Sequence, residues 1–418
     1  MTATLYTLTS GLHTEMAENV RQEPFIKNIE AALGSAFDVA GADFSSYGSK
    51  PCELIYVRTG GTEGAFKAVF CKDGAKPCIP EPVRLLTSGK SNSLAASMEI
   101  MSYLNLYGIK GEILHGSAGY IAERIRNTQG EEESECSRLV LEVAPGRILE
   151  GQRLGVIGHP SDWLISSDVD YAAAREILGV ELIDISMDVL LEEIGKHSHP
   201  TVELPPLNAP KFGKHIPESD LTVALDIYGA LLRLIGKYHL NGLTIRCFDL
   251  LVTVHNTGCM ALALLNSQGY TATCEGDVPA MLSMAVARKI CGQSGFQANL
   301  SSIDGDKLLF AHCTVPLSMT KHWVYDTHFE SGFGVAVHGE LPSGPATIFK
   351  LSPDFKTAFI ASASLEQNRY DGMLCRTQII LRAPDLAPYF LRTPIGNHHI
   401  ILTGDYTTAL KDSLNVTA

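Results

Sequence analysis

The sequence predicts an α/β protein in which Rossmann-like, parallel-sheet domains are followed by a C-terminal antiparallel β domain. Two observations carry this. Up to about residue 313, short apolar runs alternate with segments of helical periodicity, the order from which parallel sheets are wound. Past Cys313 come short alternating runs broken by Gly and Pro, the pattern of antiparallel pairing. A chain of 418 residues exceeds one ordinary core, and it divides at 1–152, 153–313 and 314–418.

In order along the chain, ATLYTLTS and CELIYVRTGG (52–61) read as buried strands, the second ending on a glycine turn. VRLLTSG, SNSLAASMEIMSYLNLYGI and KGEILHGS then form strand, helix and strand, a right-handed βαβ unit. Asn92 or Ser93 is placed to cap this helix, and Leu94, Met98, Met101 and Leu104 recur on one face. Gly89 and Ser91 suit either a tight strand-to-helix turn or an anion at the helix start. The EEESE run at 131–135 is a solvated segment, because its four negative charges repel unless hydrated.

CSRLVLEVAPG and RLGVIGHPSDW open a second α/β unit, with LGVIG as a buried strand. His159, Asp162 and Trp163 follow that strand, where they serve either a turn or a sugar-facing rim. VELIDIS is a strand, and LTVALDIYGALLRLIGKYHL is a helix of strong apolar periodicity. The connection between them holds five prolines and three histidines. A helix-free segment of that length reads as a lid or an interface arm, with His197 and His199 exposed on it.

The segment from Leu243 to Cys313 organises the rest. It reads as three strands separated by helices of about four turns, and such sheets bind ligands beyond the C-terminal ends of their strands. Arg246 and Asp249 follow the first strand and are candidates to bind substrate together with Trp163. Glu275 and Asp277 follow the second, Asn299 lies on the third, and the hairpin strand KLLFA delivers His312. Carboxylate, amide oxygen and imidazole on one rim suit a divalent cation such as Mn²⁺ or Mg²⁺. Asp277 is also placed to cap the helix starting at Val278.

Composition excludes several classes. A net charge of −13 disfavours nucleic acid, whose binding draws on clustered Lys and Arg. No stretch approaches the ~18 apolar residues of a membrane span, and MTATLYTLTSGLH lacks the basic and apolar regions of a signal peptide, so a cytoplasmic protein is expected. The ten cysteines include no C-x-x-C pair, and Cys247, Cys259, Cys274, Cys291 and Cys313 sit in apolar strands or helices as small buried hydrophobes.

CEGD at 274–277, FQANLSSIDGDKLLFAHC and the late GNHHIILTGD together resemble the L-fucose isomerase and L-arabinose isomerase superfamily of metal-dependent aldose–ketose isomerases. The likeness is firm over roughly 243–405 and loose before it. It implies that Glu275 is a metal ligand and proton-transfer group; Asp277 is one of three acids, with Asp249 and Asp304, available as a second acid–base group. It further implies His312 as a ligand, and His398 as another, with the adjacent His399 the alternative. The family's second acidic ligand falls at Asn299, which brings no charge and cannot act as a base. The resemblance therefore implies Mn²⁺, or Mg²⁺ or Co²⁺, a small sugar substrate, and a homo-oligomer, a hexamer or similar ring. It also leaves open a sugar-binding relative with altered or lost activity, or an epimerase or lyase built on the same ligands.

Overall fold

A computed structural model of the protein describes residues 2–11, 19–72, 76–127, 139–207 and 215–416, and it is an α/β protein with two parallel sheets and an antiparallel barrel. The acidic run at 131–135 lies outside the described residues. None of the described helices is long and apolar enough to cross a membrane.

The first sheet has five parallel strands in the order Asp38–Gly41, Thr4–Leu8, Glu53–Val57, Val83–Leu86, Gly111–Leu114. One face packs on helices Pro24–Leu33 and Ala118–Arg126 through Ile26, Ile29, Ile121 and Ile125. The other packs on Glu63–Phe70 and Ser93–Leu106. That last helix was expected to bury one stripe, yet it is buried all round from Ser93 to Leu104. The reason is its place: it is wedged between the first sheet and strand Phe296–Asp304, so no face is left for water. Asn92 stands at its N-cap position without capping it, and its amide instead donates to Glu330 Oε1 at 2.6 Å. A side chain on Gly89 would meet the Ser301 carbonyl oxygen at 2.4 Å, so this turn is shaped by close packing.

The second sheet has four parallel strands in the order Thr271–Thr273, Gly242–Ile245, Arg153–Ile157, Glu181–Ile185. Ranked by position in the chain, this is the winding 2-1-3-4 also seen in the first four strands of the first sheet. Helix Val278–Cys291 leaves this sheet and packs between it and the barrel, with every residue from Val278 to Ala287 buried. The 21-residue helix Glu218–Tyr238 lies where its periodicity places it, in the main core.

Two stretches differ from expectation. By its apolar pattern Phe296–Asp304 suits the third strand of the parallel set, but it runs antiparallel to both Lys307–His312 and His398–Thr403. Val140–Glu142 was read as opening the second unit, but it pairs with the start of Thr357–Arg369. A continuous apolar run looks the same in a parallel sheet and in a closed barrel, since both bury the strand, so sequence periodicity does not separate them. The barrel has six strands, in the order Gly344–Leu351, His398–Thr403, Phe296–Asp304, Lys307–His312, Thr377–Arg382, Thr357–Arg369. The 13-residue last strand closes the ring by pairing with Gly344–Leu351 through residues 358–365 and with Thr377–Arg382 through residues 364–369, the second pairing carrying a register shift at Leu365/Gln367. Closure removes the open edges that would otherwise template further strands.

Candidate metal centre

Three walls meet at one cavity. The first sheet contributes Gly60, Gly61 and Glu63 after strand Glu53–Val57, and Asn92, Ala95 and Ala96 after Val83–Leu86. The second contributes Trp163, Phe248 and Glu275, each following a strand end, and the barrel contributes Asn299 and Asn397. Glu330 completes the lining.

Glu275 is aimed by strained backbone. It has φ +67° and so does Gly276, an unusual conformation for a residue with a side chain. A Cβ on Gly276 would lie 2.6 Å from the His159 carbonyl oxygen, so only glycine lets the turn pass this close to the neighbouring loop. Trp163 Nε1 donates to Glu275 Oε2 at 2.6 Å, which fixes one carboxylate oxygen. The other, Oε1, faces His398 Nε2 at 3.4 Å and His312 Nε2 at 3.7 Å.

The far sides of both imidazoles are held. His398 Nδ1 pairs with Asp277 Oδ2 at 2.9 Å, and His312 Nδ1 with Thr314 Oγ1 at 2.9 Å. Asp277 also caps its helix as expected, accepting from the Ala280 N–H at 2.7 Å, and Lys350 Nζ lies 3.8 Å from the same oxygen. One ligand atom from each of Glu275, His312 and His398 falls within 4.8 Å of the others, an arrangement that can hold a metal ion. Asn299 sits directly across from His398 in the strand register. Its Oδ1 is buried without a hydrogen bond, as is His398 Nε2. Two orphaned donor atoms beside a carboxylate, with imidazoles oriented from behind, are what a divalent cation requires.

The same side chains set one another's charge. Burial alone would raise the Glu275 carboxyl, but His398 and His312 outweigh it and hold it far below the usual range. Burial favours a neutral His398, yet Glu275 and Asp277 raise it to about 9. The Asp277 carboxyl is likewise held low against its burial, by Lys350 and His398. His399 is different in kind. It lies inside the barrel among Phe310, Phe359 and Phe390, bonds Tyr389 Oη at 2.8 Å, and is pushed down to about 3, mainly by burial.

The structure thus brings together Glu275, Asn299, His312, His398 and Trp163. Asp277 stands behind His398, outside the cavity lining. Arg246 and Asp249 are also outside it: Arg246 is bound to Asp162 at 2.8 Å and to Asp249 at 3.1 Å, a network of its own. His197 and His199 are remote from the site, bonded to Asp226 and to the Pro200 carbonyl. Sequence reasoning missed Glu63, Phe248, Glu330 and Asn397. The signal for Glu63 was present in the Gly-Gly-Thr-Glu turn that follows a buried strand.

No family model matches the chain. Two curated proteins are similar to it: the sulfoquinovose isomerases of Priestia aryabhattai and of Priestia megaterium (strain ATCC 12872 / QMB1551). Each is 21% identical over 297 residues, which covers 67% of this chain and 67% of the relative. This is a loose relation to sugar isomerases.

Proposed function

We propose that the chain is a metal-dependent aldose–ketose isomerase that acts on an uncharged free sugar through an ene-diol. The observation that supports this most is the convergence of Glu275, His312 and His398 from two separate sheets beneath one cavity. Mn²⁺ is the cation we favour, with Mg²⁺ or Co²⁺ as alternatives. When bound, such an ion polarises a carbonyl and steadies the developing enediolate charge.

The chain's own residues supply the rest. Glu275, His312, His398 and Asn299 would hold the ion, with Asp277 and Thr314 orienting the two imidazoles from behind. The Trp163 N–H leaves Glu275 one free oxygen, and the edge-on pair of Trp163 and Phe248, with ring centroids 4.8 Å apart, offers apolar faces to a sugar's C–H groups. No lysine or arginine is among the described residues lining the cavity. An anionic sugar would enter without a cationic side chain to receive it, so we expect the substrate to differ in charge from sulfoquinovose.

Metal content after purification and a screen of free aldoses, with sulfoquinovose included, for ketose formation at added Mn²⁺ test this. Ketose from an uncharged aldose is the expected result; metal-free protein with no turnover on any sugar would sink it. Asn299 supports a second reading, a sugar-binding relative without turnover, for which the expected result is bound metal and polyol binding with no product. On the resemblance alone we also take the protein to be a homo-oligomer.

A further inference from the structure

An ene-diol mechanism needs a base that removes a carbon-bound proton and returns it to the neighbouring carbon. Asn299 cannot be that base. Glu99, whose Oε2 is also buried without a hydrogen bond, accepts the Ser166 N–H through Oε1 and does not line the cavity. The remaining acids are engaged or placed elsewhere. Asp249 belongs to Arg246, and Asp277 to His398 and its own helix. Asp304 is exposed at the far end of its strand. Glu330 is exposed, and its Oε1 is taken by Asn92.

Glu63 keeps one carboxylate oxygen unpaired. It is 2% exposed, lines the cavity holding Glu275 and Asn299, and has Oε2 buried without a hydrogen bond. The Gly60–Gly61 turn carries it in from the first sheet to the cavity that Glu275 and Asn299 also line. Its strand is the neighbour of Thr4–Leu8 on the side where the winding reverses, the position at which such sheets bind ligands. Resting on the isomerase reading, we propose that Glu63 is a catalytic residue, the carboxylate that carries the proton between the two adjacent sugar carbons in place of the acid Asn299 lacks. Burial, with Glu99 and Glu275 adding to it, raises its carboxyl well above the ordinary range.

The step balances within sugar and protein. Glu63 takes the proton from the hydroxyl-bearing carbon; the C–H pair becomes the second carbon–carbon bond, and the carbonyl pair moves onto its oxygen. The hydroxyl proton passes to that oxygen as the neighbouring C–O bond becomes a carbonyl. The carbon–carbon pair then takes the proton back from Glu63 at the former carbonyl carbon. Nothing is oxidised or reduced overall.

Wild type, Glu63→Gln and Glu63→Ala are assayed at saturating Mn²⁺ on the aldose found in the screen, with Mn²⁺ calorimetry and thermal unfolding in parallel. Glu63→Gln is expected to lose about 10²–10⁴ in turnover while Mn²⁺ affinity and unfolding hold, and added formate is expected to restore part of the activity of Glu63→Ala. Glu63→Gln turning over like the wild type overturns the role of Glu63 and leaves the isomerase reading intact. Loss of metal affinity or stability in step with activity also overturns it, by making Glu63 structural. A wild type inactive on every aldose overturns the isomerase reading, and the role with it.

Discussion

The second parallel sheet and the barrel supply the residues of the candidate metal centre by opposite means. Glu275 comes from a turn held by left-handed backbone, a single Trp163 bond and the close pass of Gly276. Asn299, His312 and His398 come from strands whose positions are set by ladder register inside a closed ring. The turn delivers the charge and the barrel delivers the frame. Removing charge should therefore abolish chemistry without loosening the fold, whereas changes in the frame should shift affinity by graded amounts.

The largest expected effect is on the turn. Glu275→Gln keeps an oxygen for Trp163 but loses the charge facing both imidazoles, and isomerisation should fall by about 10²–10⁴ or more. The thermal unfolding of the metal-free protein should hardly move, because Asp277 caps the helix. Residual turnover near wild type would show that the turn is not where the charge matters. Next comes Asp277→Asn, which still caps its helix but no longer offers His398 a carboxylate. Mn²⁺ affinity by calorimetry should drop about 10–100-fold, and an unchanged affinity would mean the frame needs no support from behind.

Acid should attack the barrel interior. His399 is held to about 3 while buried, against an unfolded value near 6.5. A depressed value means the unfolded chain binds the proton more readily. Its contribution is therefore complete above pH 6.5 and is lost as pH falls from there towards 3, at up to about 1.4 kcal/mol per pH unit. Melting curves between pH 7 and 4 should show that slope, and His399→Leu should flatten it even though its baseline is lower. The smallest effect is Asn299→Asp, where a full charge replaces a dipole. Mn²⁺ should bind severalfold to about tenfold tighter, and weaker binding would put Asn299 outside the coordination sphere.

The two regions were also unequally legible. Residues 243–278 show their architecture in alternation, in the cap at Asp277 and in the Glu-Gly-Asp turn, because local backbone chemistry dictates each. The barrel does not announce itself, since its strands pair at separations that no local pattern records: Val140–Glu142 with Thr357–Phe359, Asn299 with His398. Arg246 and Asp249 looked available at a strand end, but nothing in their spacing reveals that Asp162 closes them into an ion-pair network. Glu63 carries a local signal in its Gly-Gly-Thr-Glu turn, but that turn does not reveal that Glu275 and Asn299, more than two hundred positions away, line the same cavity.

The strand Val140–Glu142 has a consequence in time. It enters the barrel before the second sheet has been made, and its partner Thr357–Arg369 is translated more than two hundred residues later. On the ribosome the first sheet, contiguous from Thr4 to Leu114, and then the second, from Arg153 to Thr273, can each condense as they emerge. The ring cannot shut until His398–Thr403 arrives between Gly344–Leu351 and Phe296–Asp304. A nascent chain therefore carries Glu275 and His312 long before His398 joins them, and the full set of ligands proposed for the cation is among the last parts of the molecule to exist.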